Sequence, residues 1–466
     1  MHGRAGSLKR IGILTAGGDT PALNATILGT VIRANELKVE VYGLIKGFNS
    51  LLNPRVPHVH LNPLFQAIPE LDSTYGGTML AASRDYLDPD DTKTIAAVCE
   101  RLQRLHIDGL ICVGGDGTLN AMQPLSEALP VVLAPKTIDN DLGLNYREEP
   151  DDWEREPGSD PTRYRYRSTA AVRPFGLAQM INFVTPGYAT AVFVAAAGIQ
   201  RVRTTAESHR RIAVIEVMGR HSGFIALGSA YGQPDMILVP ECPIDLDHVV
   251  HRIRQLYDVQ KNVVIVCGEG IVDQHGRDLG AEKESTDPSG NTVFGGAAST
   301  LRGLLAERLG DQYFKDLRRG TAAREVIFTR KVGHTQRGGR PLLFDRFHAT
   351  QLGGKAVDLL MAGRNNHVAT LQWTPERGIH VDDFPANGFR DRWGNIHARK
   401  LHPSFYDSRQ MMPSPIGIEY LTQIFTRAIG RSDVDSIRET LFRPGNLSTP
   451  YHSVNADIHK RIRYLD

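Results

Sequence analysis

The sequence predicts an α/β fold in which parallel strands are covered by helices on both faces. Several short, nearly continuous apolar runs are typical of strands buried on both sides of a parallel sheet. At several places the run is followed by a polar, glycine-rich loop and then by a segment with helical periodicity. Because ligands of such folds bind at the carboxyl ends of the strands, we expect the functional residues in those loops.

The first predicted unit begins with the strand RIGILT at residues 10–15. Thr20 and Pro21 then offer a helix cap and a first-turn proline ahead of a helix predicted over residues 22–34. In the segment TKTIAAVCERLQRL, apolar residues share one helical face: Ile95, Val98, Cys99, Leu102 and Leu105. Further buried strands are predicted from the runs DGLICV, VVLAP, RIAVIEV, DMILVP and NVVIVC.

Length and composition are those of a soluble enzyme with more than one core. At 466 residues the chain suggests two or three domains. Lys and Arg number 54 against 52 Asp and Glu, so no global field favours a nucleic acid or an anionic membrane as partner. The first residues lack the apolar core of a signal peptide, and no apolar run approaches the roughly 18 residues of a spanning helix, so we expect a cytoplasmic protein. Scattered cysteines without paired spacing predict buried thiols rather than disulfides or a zinc site: Cys99, Cys112, Cys242 and Cys267.

Two glycine-rich loops are candidates for phosphate binding. Gly17 and Gly18, after the first strand, would allow main-chain N–H groups to approach an anion where the next helix begins. The loop GGDGT at residues 114–118 places Asp116 among glycines, so a polyphosphate could approach closely while the carboxylate binds Mg2+. A tight turn before a helix would also need glycine, so a purely structural role stays open for these loops.

The segment VVLAPKTIDND carries the strongest chemical signal. Its apolar run stops at Pro135 and is followed by four functional side chains: Lys136, Thr137, Asp139 and Asp141. Carboxylates two residues apart in an extended segment point to the same side, here beside a hydroxyl and an ammonium group. This set favours a metal–phosphate site over a solvated Asx turn. The segments EVMGR and GHTQRGG add arginines and a histidine among glycines, which suit a second phosphate.

In order along the chain, the motifs GILTAGGDTP, YGGTMLAASR, GGDGT, PKTIDND, HRRIAVIEVMGRHSG, GEG and GHTQRGG resemble those of 6-phosphofructokinases. GGDGT alone also occurs in NAD kinases and diacylglycerol kinases, but the ordered set is specific. The resemblance implies two doubly wound α/β domains with parallel-rich sheets and an active site in the cleft between them. It places a phosphoryl-donor domain at 1–185, with an insertion at about 143–184, and a sugar-phosphate domain at 186–340. Residues 341–466 would return to both domains and end in an extension of unknown role.

The resemblance also implies a reaction and an assembly. The enzyme would phosphorylate O1 of fructose 6-phosphate to fructose 1,6-bisphosphate in glycolysis, with Mg2+ and ATP. It would be a homodimer or a homotetramer. Neither nucleic acid nor membrane is expected as a partner.

Individual roles carry over from matching positions. Catalytic roles fall to Asp139, Thr137, Arg220 and Lys136, with Asp139 as the general base and Arg220 stabilising charge in the transition state. The donor would contact Gly17, Gly18, Arg84, Gly115, Asp116, Gly117 and Thr118, with the Gly17 N–H on its terminal phosphate. Asp116 and Asp141 would hold Mg2+, directly or through water. The sugar phosphate would contact Arg211, Met218, Gly219, Arg220, Glu269, His334 and Arg337, with Arg211 reaching over from a neighbouring subunit.

Some segments depart from the family pattern. Phe328 stands where family members usually carry a phosphate-binding arginine. The charged first part of the insertion is expected to face solvent, and RYRYR at 163–167 would be either a solvated loop or an anion patch. DPSGN at 287–291 predicts a turn-rich loop, and GIEYLTQIFTRAI predicts an amphipathic helix.

The donor depends on Gly117 and Lys136. Glycine at the first position leaves room for the inner phosphate of a nucleotide, whereas aspartate there goes with pyrophosphate use in this family. Lysine at the second position is common in pyrophosphate enzymes but also occurs in ATP-dependent members. We expect ATP, because an added carboxylate beside a phosphate is harder to accommodate than a lysine that can swing away. Pyrophosphate use and a non-catalytic sugar-phosphate-binding paralogue stay as alternatives, while the register of TIDND and MGR counts against a lipid or nucleotide kinase.

Overall fold

The computed structural model describes residues 8–85, 87–88, 90–157, 164–169, 173–286, 292–318 and 322–465. Arg163 and the predicted loop at 287–291 lie outside these ranges. The strands are β1 (Arg10–Thr15), β2 (Glu40–Leu44), β3 (His58–His60), β4 (Gly109–Gly114), β5 (Val131–Pro135), β6 (Trp153–Pro157), β7 (Tyr164–Ser168), β8 (Ile212–Val217), β9 (Met236–Leu238), β10 (Val263–Gly268), β11 (Ala281–Thr286), β12 (Thr292–Phe294), β13 (Ile327–Lys331), β14 (His367–Thr374), β15 (Gly378–Pro385), β16 (Tyr406–Asp407) and β17 (Met412–Pro413). The α-helices are α1 (Leu23–Glu36), α2 (Phe48–Leu52), α3 (Thr92–Arg104), α4 (Asp116–Met122), α5 (Tyr188–His209), α6 (Phe224–Gly228), α7 (Leu246–Gln260), α8 (Ala297–Leu309), α9 (Asp311–Arg318), α10 (Ala323–Val326), α11 (Leu343–Met361), α12 (Pro415–Phe425), α13 (Arg431–Ser436) and α14 (Val454–Arg461).

Two parallel-rich sheets organise the part of the chain that the structure describes. The first has the order β15-β14-β5-β4-β1-β2-β3, with antiparallel strands at its edges and parallel pairing between them. The second has the order β13-β8-β10-β9 and is parallel throughout. The six buried strands predicted from apolar runs are β1, β4, β5, β8, β9 and β10, so those predictions are confirmed. All four cysteines are free thiols, as predicted. Cys112 and Cys267 are buried within β4 and β10, whereas Cys99 and Cys242 are only partly buried, so the predicted burial is wrong for these two.

The first helices agree with the sequence in their apolar faces and differ at one end. In α3, Val98 and Leu102 are buried, and the other predicted face residues pack against the same core. Helix α1 begins at Leu23 after Ala22, which offers no side-chain cap, so the predicted capping role of Thr20 is wrong. Thr20 instead lies in the loop before the helix, where its hydroxyl is buried and has no hydrogen-bond partner among the described residues.

The chain beyond residue 341 reaches both sheets. Strands β14 and β15 complete one side of the first sheet. On the second sheet, the Tyr406 hydroxyl donates to the Ile237 carbonyl at 2.5 Å, and the Ile237 N–H donates to Met411 at 2.8 Å. The predicted amphipathic helix is α12, which buries Tyr420, Leu421 and Ile424. The domain boundaries at 185 and 340 stay a prediction.

The inserted segment contains the hairpin β6–β7. Arg167 on the exposed strand β7 pairs with Glu154 at 2.7 Å and Glu156 at 3.4 Å across the hairpin, which favours the solvated reading of RYRYR. The expectation that the first charged part faces solvent is wrong at Glu149. This residue is buried because its carboxylate accepts hydrogen bonds from the main-chain N–H and the side-chain amide of Asn145.

Helices α1 and α11 approach closely through glycines. A Cβ built on Gly353 would lie 2.1 Å from the carbonyl oxygen of Thr26, whereas one built on the adjacent Gly354 meets its nearest atom at 3.7 Å. We expect Gly353→Ala to lower the thermal unfolding midpoint, because overpacking costs about 1–3 kcal/mol. Gly354→Ala is the matched control and should be neutral or stabilising, since alanine is favoured over glycine in a helix by about 1 kcal/mol. Equal midpoints for the two variants would contradict this account of the contact.

Within the described ranges, none of the helices combines the length and the apolar character needed to cross a membrane.

Candidate active site

Loops at the carboxyl ends of strands from both sheets surround a cavity of about 400 Å³. The first sheet supplies the loops after β1, β4 and β5, and the second sheet supplies the segments after β8 and β13. Parallel strands bring such loops to one edge, so residues far apart in sequence meet there. The predicted site residues that line the cavity are Gly17, Gly18, Arg84, Gly115, Asp116, Gly117, Thr118, Lys136, Thr137, Asp139, Asp141, Arg220 and Arg337.

The loop after β5 brings the buried carboxyl group of Asp139 and the partly exposed one of Asp141 to this cavity. The Thr137 hydroxyl accepts the Asp139 N–H at 3.0 Å, which holds the loop in a tight turn. Asp139 is only 6% exposed, and its Oδ1 has no hydrogen-bond partner among the described residues. Burial raises the pKa of Asp139, and the Arg337 and Arg220 guanidinium groups oppose that rise. Burial, together with the nearby Asp139 and Asp116, raises the pKa of Asp141 to about 7.

Lys136 lies between the loops that follow β1 and β5. Its ammonium group donates a hydrogen bond to the Gly18 carbonyl. Burial lowers the pKa of Lys136 to about 8, and the Arg337 charge adds to that effect while nearby aspartates oppose it. The Lys136 ammonium group is thus buried close to the carboxylates. Such a group can stabilise negative charge on a phosphate in the cavity.

The loop after β4 combines a carboxylate with open space. Asp116 Oδ1 accepts the Gly117 N–H at 2.7 Å. A Cβ built on Gly117 would meet no atom of the described residues within 4 Å, so that position opens onto the cavity. Gly114 has the opposite reason to be glycine, because a Cβ there would lie 2.0 Å from the Thr118 hydroxyl. The loop can therefore come close to a ligand at Gly117 while Thr118 packs over Gly114.

The loop after β1 is shaped by glycine in two ways. Gly17 has φ +79°, a left-handed conformation that favours glycine. Its N–H donates to the Ser83 carbonyl at 2.9 Å, so a donor phosphate would have to replace Ser83 to take the contact predicted from the resemblance. A Cβ on Gly18 would lie 2.7 Å from Arg337 Nη1. Gly18 thus allows an arginine that follows the second sheet to reach the loops of the first.

The segments after β8 and β10 contact each other beside the cavity. Glu269 Oε1 accepts the Arg220 N–H at 3.1 Å. Burial, with the neighbouring Asp139 charge, raises the pKa of Glu269 to about 7. Arg220 has φ +48°, an uncommon conformation for a residue other than glycine and one that clusters at functional sites. Gln336 connects the segment after β13 to the segment after β8, because its Oε1 accepts the Met218 N–H at 3.0 Å.

Other predicted sugar-phosphate residues do not line the cavity. Met218, Gly219, Glu269 and His334 lie in the adjoining segments after β8, β10 and β13. Arg211 directly precedes β8, whereas Arg220 follows that strand. A six-residue strand separates them by roughly 20 Å at the usual rise. Arg211 therefore does not reach the cavity of its own chain.

Phe328 packs against the core, and Arg330 lies over its ring with its guanidinium carbon 5.6 Å from the ring centre. Neither Arg324 nor Arg330 lines the cavity. No arginine of β13 therefore lines the cavity in place of the one that the family pattern has at position 328.

A comparison with family models matches phosphofructokinase over residues 10–146 and 180–360. The chain belongs to the phosphofructokinase family. The interruption in the match falls inside the predicted insertion, and the residues after 360 lie beyond it.

Named relatives include users of both phosphoryl donors. An ATP-dependent 6-phosphofructokinase 2 of Streptomyces coelicolor is 36% identical over 375 residues, which cover 78% of this chain and 91% of the relative. A pyrophosphate–fructose 6-phosphate 1-phosphotransferase of Dictyoglomus thermophilum is 34% identical over 406 residues, covering 86% and 98%. The enzyme is a 6-phosphofructokinase, a phosphotransferase with an alcohol group as acceptor.

Solved structures agree on the fold. A pyrophosphate-dependent phosphofructokinase from Nitrosospira multiformis matches with a TM-score of 0.67 at 16% identity, covering 91% of this chain and 93% of that one. A phosphofructokinase from Saccharomyces cerevisiae matches with a TM-score of 0.56, covering 81% of this chain and 44% of that one. The predicted α/β fold class is confirmed, with two parallel-rich sheets and a cavity lined by loops from both sheets.

The oxygen atoms at the cavity suit magnesium. Mg2+ is commonly held by one or two carboxylates together with substrate phosphates and water, and Asp116 and Asp141 are carboxylates on adjacent loops. The unpartnered Oδ1 of Asp139 adds a buried acceptor beside them. A divalent cation near these groups would favour their ionised forms, against the effect of burial.

Sequence reasoning missed several residues that line the cavity, among them Thr20, Phe48 and Asp85. The sequence predicts Thr20 as a helix cap, yet its buried hydroxyl has no partner in the part of the chain that the structure describes and is available to a ligand. Its position directly after Gly-Gly-Asp is the feature of the sequence that could have identified Thr20 as a cavity residue. Phe48 carries no such signal, because an isolated aromatic residue after a strand is ordinarily part of a core.

Proposed function

We propose that the enzyme transfers the γ-phosphoryl group of Mg-ATP to O1 of fructose 6-phosphate and forms fructose 1,6-bisphosphate as a step of glycolysis. The observation that carries the choice of donor is the open space at Gly117, where a built Cβ meets nothing within 4 Å in the described ranges. The inner phosphate of a nucleotide would occupy this space. Gly115, Thr118 and Arg84 also line the cavity and would flank the donor phosphates.

Asp139 is the proposed general base. It is buried in the cavity, and one of its carboxylate oxygens has no partner among the residues that the structure describes, so this oxygen can accept the proton of the attacking O1 hydroxyl. Arg220 and Lys136 would stabilise the charge on the transferring phosphoryl group, and the Thr137 hydroxyl would contact it. Asp116 and Asp141 would hold Mg2+, which neutralises phosphate charge when it is bound. In this arrangement the protein mainly positions the two substrates and compensates their charges.

Pyrophosphate is the second candidate donor, and Lys136 favours it. Its ammonium group lines the cavity beside the Gly18 carbonyl, where it could serve as a fixed cation for a small anion such as pyrophosphate. Purified enzyme assayed with fructose 6-phosphate, Mg2+ and each donor separately distinguishes the candidates. A higher catalytic efficiency with pyrophosphate than with ATP would overturn the proposed donor.

The acceptor is proposed to bind on the side of the second sheet. Arg220 and Arg337 reach the cavity, and Glu269, His334, Met218 and Gly219 adjoin it. Arg211 would complete the pocket from a second copy of the chain, because it lies at the opposite end of β8 from the cavity. We also infer a cytoplasmic location, where the pools of ATP and sugar phosphates used in glycolysis are found.

The active species is therefore expected to be at least a dimer. Light scattering after size-exclusion chromatography, at the concentration of the assay, measures its mass. Arg211→Ala should raise the KM for fructose 6-phosphate about tenfold or more, because a charge-assisted hydrogen bond contributes about 1.5–3 kcal/mol. Arg210→Ala, one residue earlier, is the matched control and should leave that KM near the wild-type value. Full activity from a verified monomer would rule out the intersubunit role.

A further inference from the structure

The segment after β15 reaches the proposed catalytic loop through Arg399. This residue lies beyond the part of the chain that matches the family model. Its Nη2 and Nε donate to the Asn140 carbonyl at 2.7 and 3.2 Å, and its Nη1 donates to the Asn182 carbonyl at 2.8 Å. Its main-chain N–H donates to the Asp141 carbonyl at 2.6 Å. Arg399 thus holds both peptide groups that flank the side chain of Asp141.

Burying an arginine here is costly. The residue is only 2% exposed, and burial lowers its pKa, although an arginine stays charged at neutral pH. The guanidinium donates to carbonyl oxygens, and its carbon lies 5.0 Å above the centre of the Phe224 ring. Carbonyl oxygens compensate only part of the lost hydration of a charge. A lysine would not span the same acceptors, because its ammonium group lacks the planar fork of a guanidinium.

The backbone of the loop is adapted to this contact. Asn140, between Asp139 and Asp141, has φ +56° and so lies in the left-handed region. That conformation turns the Asn140 carbonyl toward Arg399. A Cβ on Gly143 would lie 2.5 Å from Arg399 Nη1, so glycine is needed for the guanidinium to approach.

A second residue of the C-terminal region holds the side chain of Asn140. The Asn140 amide donates to the Tyr420 hydroxyl at 2.6 Å, and that hydroxyl donates to the Phe183 carbonyl at 2.9 Å. On its other side, Asn140 Oδ1 accepts the Thr185 N–H at 2.9 Å. The residue between the two aspartates is therefore fixed at its carbonyl, its amide nitrogen and its amide oxygen.

We propose that Arg399 and Tyr420 are positioning residues that hold Asn140, and through it Asp139 and Asp141, in the geometry for phosphoryl transfer. The proposal rests on the role of this loop given under the proposed function. A structural anchor for the C-terminal segment does not require these two side chains, because other contacts dock it. The Leu401 N–H donates to Glu241 Oε1 at 2.7 Å, and Tyr406 donates to Ile237.

The test compares Arg399→Lys and Tyr420→Phe with variants that lose similar contacts elsewhere. Arg203→Lys is the control for the first, because Arg203 also donates to a main-chain carbonyl, that of Gln233. Tyr257→Phe is the control for the second, because the buried Tyr257 hydroxyl donates to the Arg210 carbonyl at 2.7 Å. For each protein, the thermal unfolding midpoint is measured first. The kcat and the KM for fructose 6-phosphate are then measured at a temperature well below that midpoint. Asp139→Ser is assayed alongside.

We expect kcat to fall at least about tenfold in Arg399→Lys, toward the hundredfold that a displacement of about 1 Å can cost. Tyr420→Phe should lose severalfold, and in both variants the KM for fructose 6-phosphate should stay within about threefold of wild type. The controls should lose thermal stability to a similar extent while keeping kcat. If Arg399→Lys does not fold, Tyr420→Phe against Tyr257→Phe decides the matter.

An unchanged kcat in Arg399→Lys and Tyr420→Phe, with Asp139→Ser nearly inactive, would overturn the positioning role and leave the proposed function intact. A raised KM at unchanged kcat would overturn it as well. If Asp139→Ser also retains turnover, the assignment of the loop as catalytic fails, and the positioning role fails with it.

Discussion

Replacing Asp139 with serine is expected to lower the turnover number at least about a hundredfold, as loss of a general base does. Serine removes the carboxylate whose Oδ1 has no hydrogen-bond partner among the described residues, but it keeps a small polar side chain in the loop. Binding of fructose 6-phosphate should survive, because the proposed sugar contacts come from segments after the strands of the second sheet. Steady-state kinetics at saturating substrates and calorimetric binding of fructose 6-phosphate measure the two effects separately.

A buried carboxylate elsewhere supplies the control for this result. Asp433 accepts the N–H groups of Gly430 and Leu343, each at 2.9 Å, and lies outside the cavity. Asp433→Asn should lower stability while leaving turnover near the wild-type value. If Asp139→Ser instead keeps a turnover within a few fold of wild type, Asp139 is not the base.

The second large effect concerns the phosphoryl donor. Gly117 is exposed, so the effect depends on a bound donor that desolvates this position. Gly117→Asp should then lower the catalytic efficiency with ATP by about 2–5 kcal/mol, the cost of an uncompensated buried charge, or roughly 30- to 5,000-fold. The new carboxylate would extend into the open space at Gly117, where it would both fill the site of the inner phosphate and repel it. Pyrophosphate lacks the nucleotide, so its use should fall less, and we expect Lys136 to support part of it.

Kinetics with both donors on both proteins decide this prediction. The wild type should prefer ATP, and the ratio of the two efficiencies should shift toward pyrophosphate in Gly117→Asp. Gly303→Asp is the control, because it adds the same carboxylate at a glycine with open space, in α8 and outside the cavity. If Gly117→Asp keeps its activity with ATP, the inner phosphate of ATP does not need the open space at Gly117, and the steric argument is wrong.

Much of the scaffold could be read from local sequence. The strands β1, β4, β5, β8, β9 and β10 were predictable because each is a short apolar run, and both faces of a parallel sheet are buried. The glycine-rich and acidic loops followed from the same runs, since ligands bind where parallel strands end. The roles of individual site residues were predicted from the ordered motifs, and they stay predictions until the variants are measured.

Predictions from local sequence were wrong where a polar side chain contacts different residues in the fold from those that its sequence neighbours suggest. Thr20 fits the pattern of a helix cap, but α1 begins after Ala22 and leaves the Thr20 hydroxyl unpartnered beside the cavity. Glu149 lies in a charged segment typical of a solvated loop, yet the fold buries it against Asn145. In both cases the decision came from tertiary contacts that a periodic pattern does not report.

The sequence by itself determined the fold class, the family and the set of functional groups, because periodicity and motif order are properties of neighbouring residues. Only the tertiary structure decided what supports those groups. Arg399 stands in the polar segment NIHARKLH, where a charged side chain is ordinarily exposed, and it is separated by 259 positions from the Asn140 carbonyl that it holds. A buried charge is tolerated only where the surrounding backbone supplies acceptors, and that supply exists only after the distant segments have packed together.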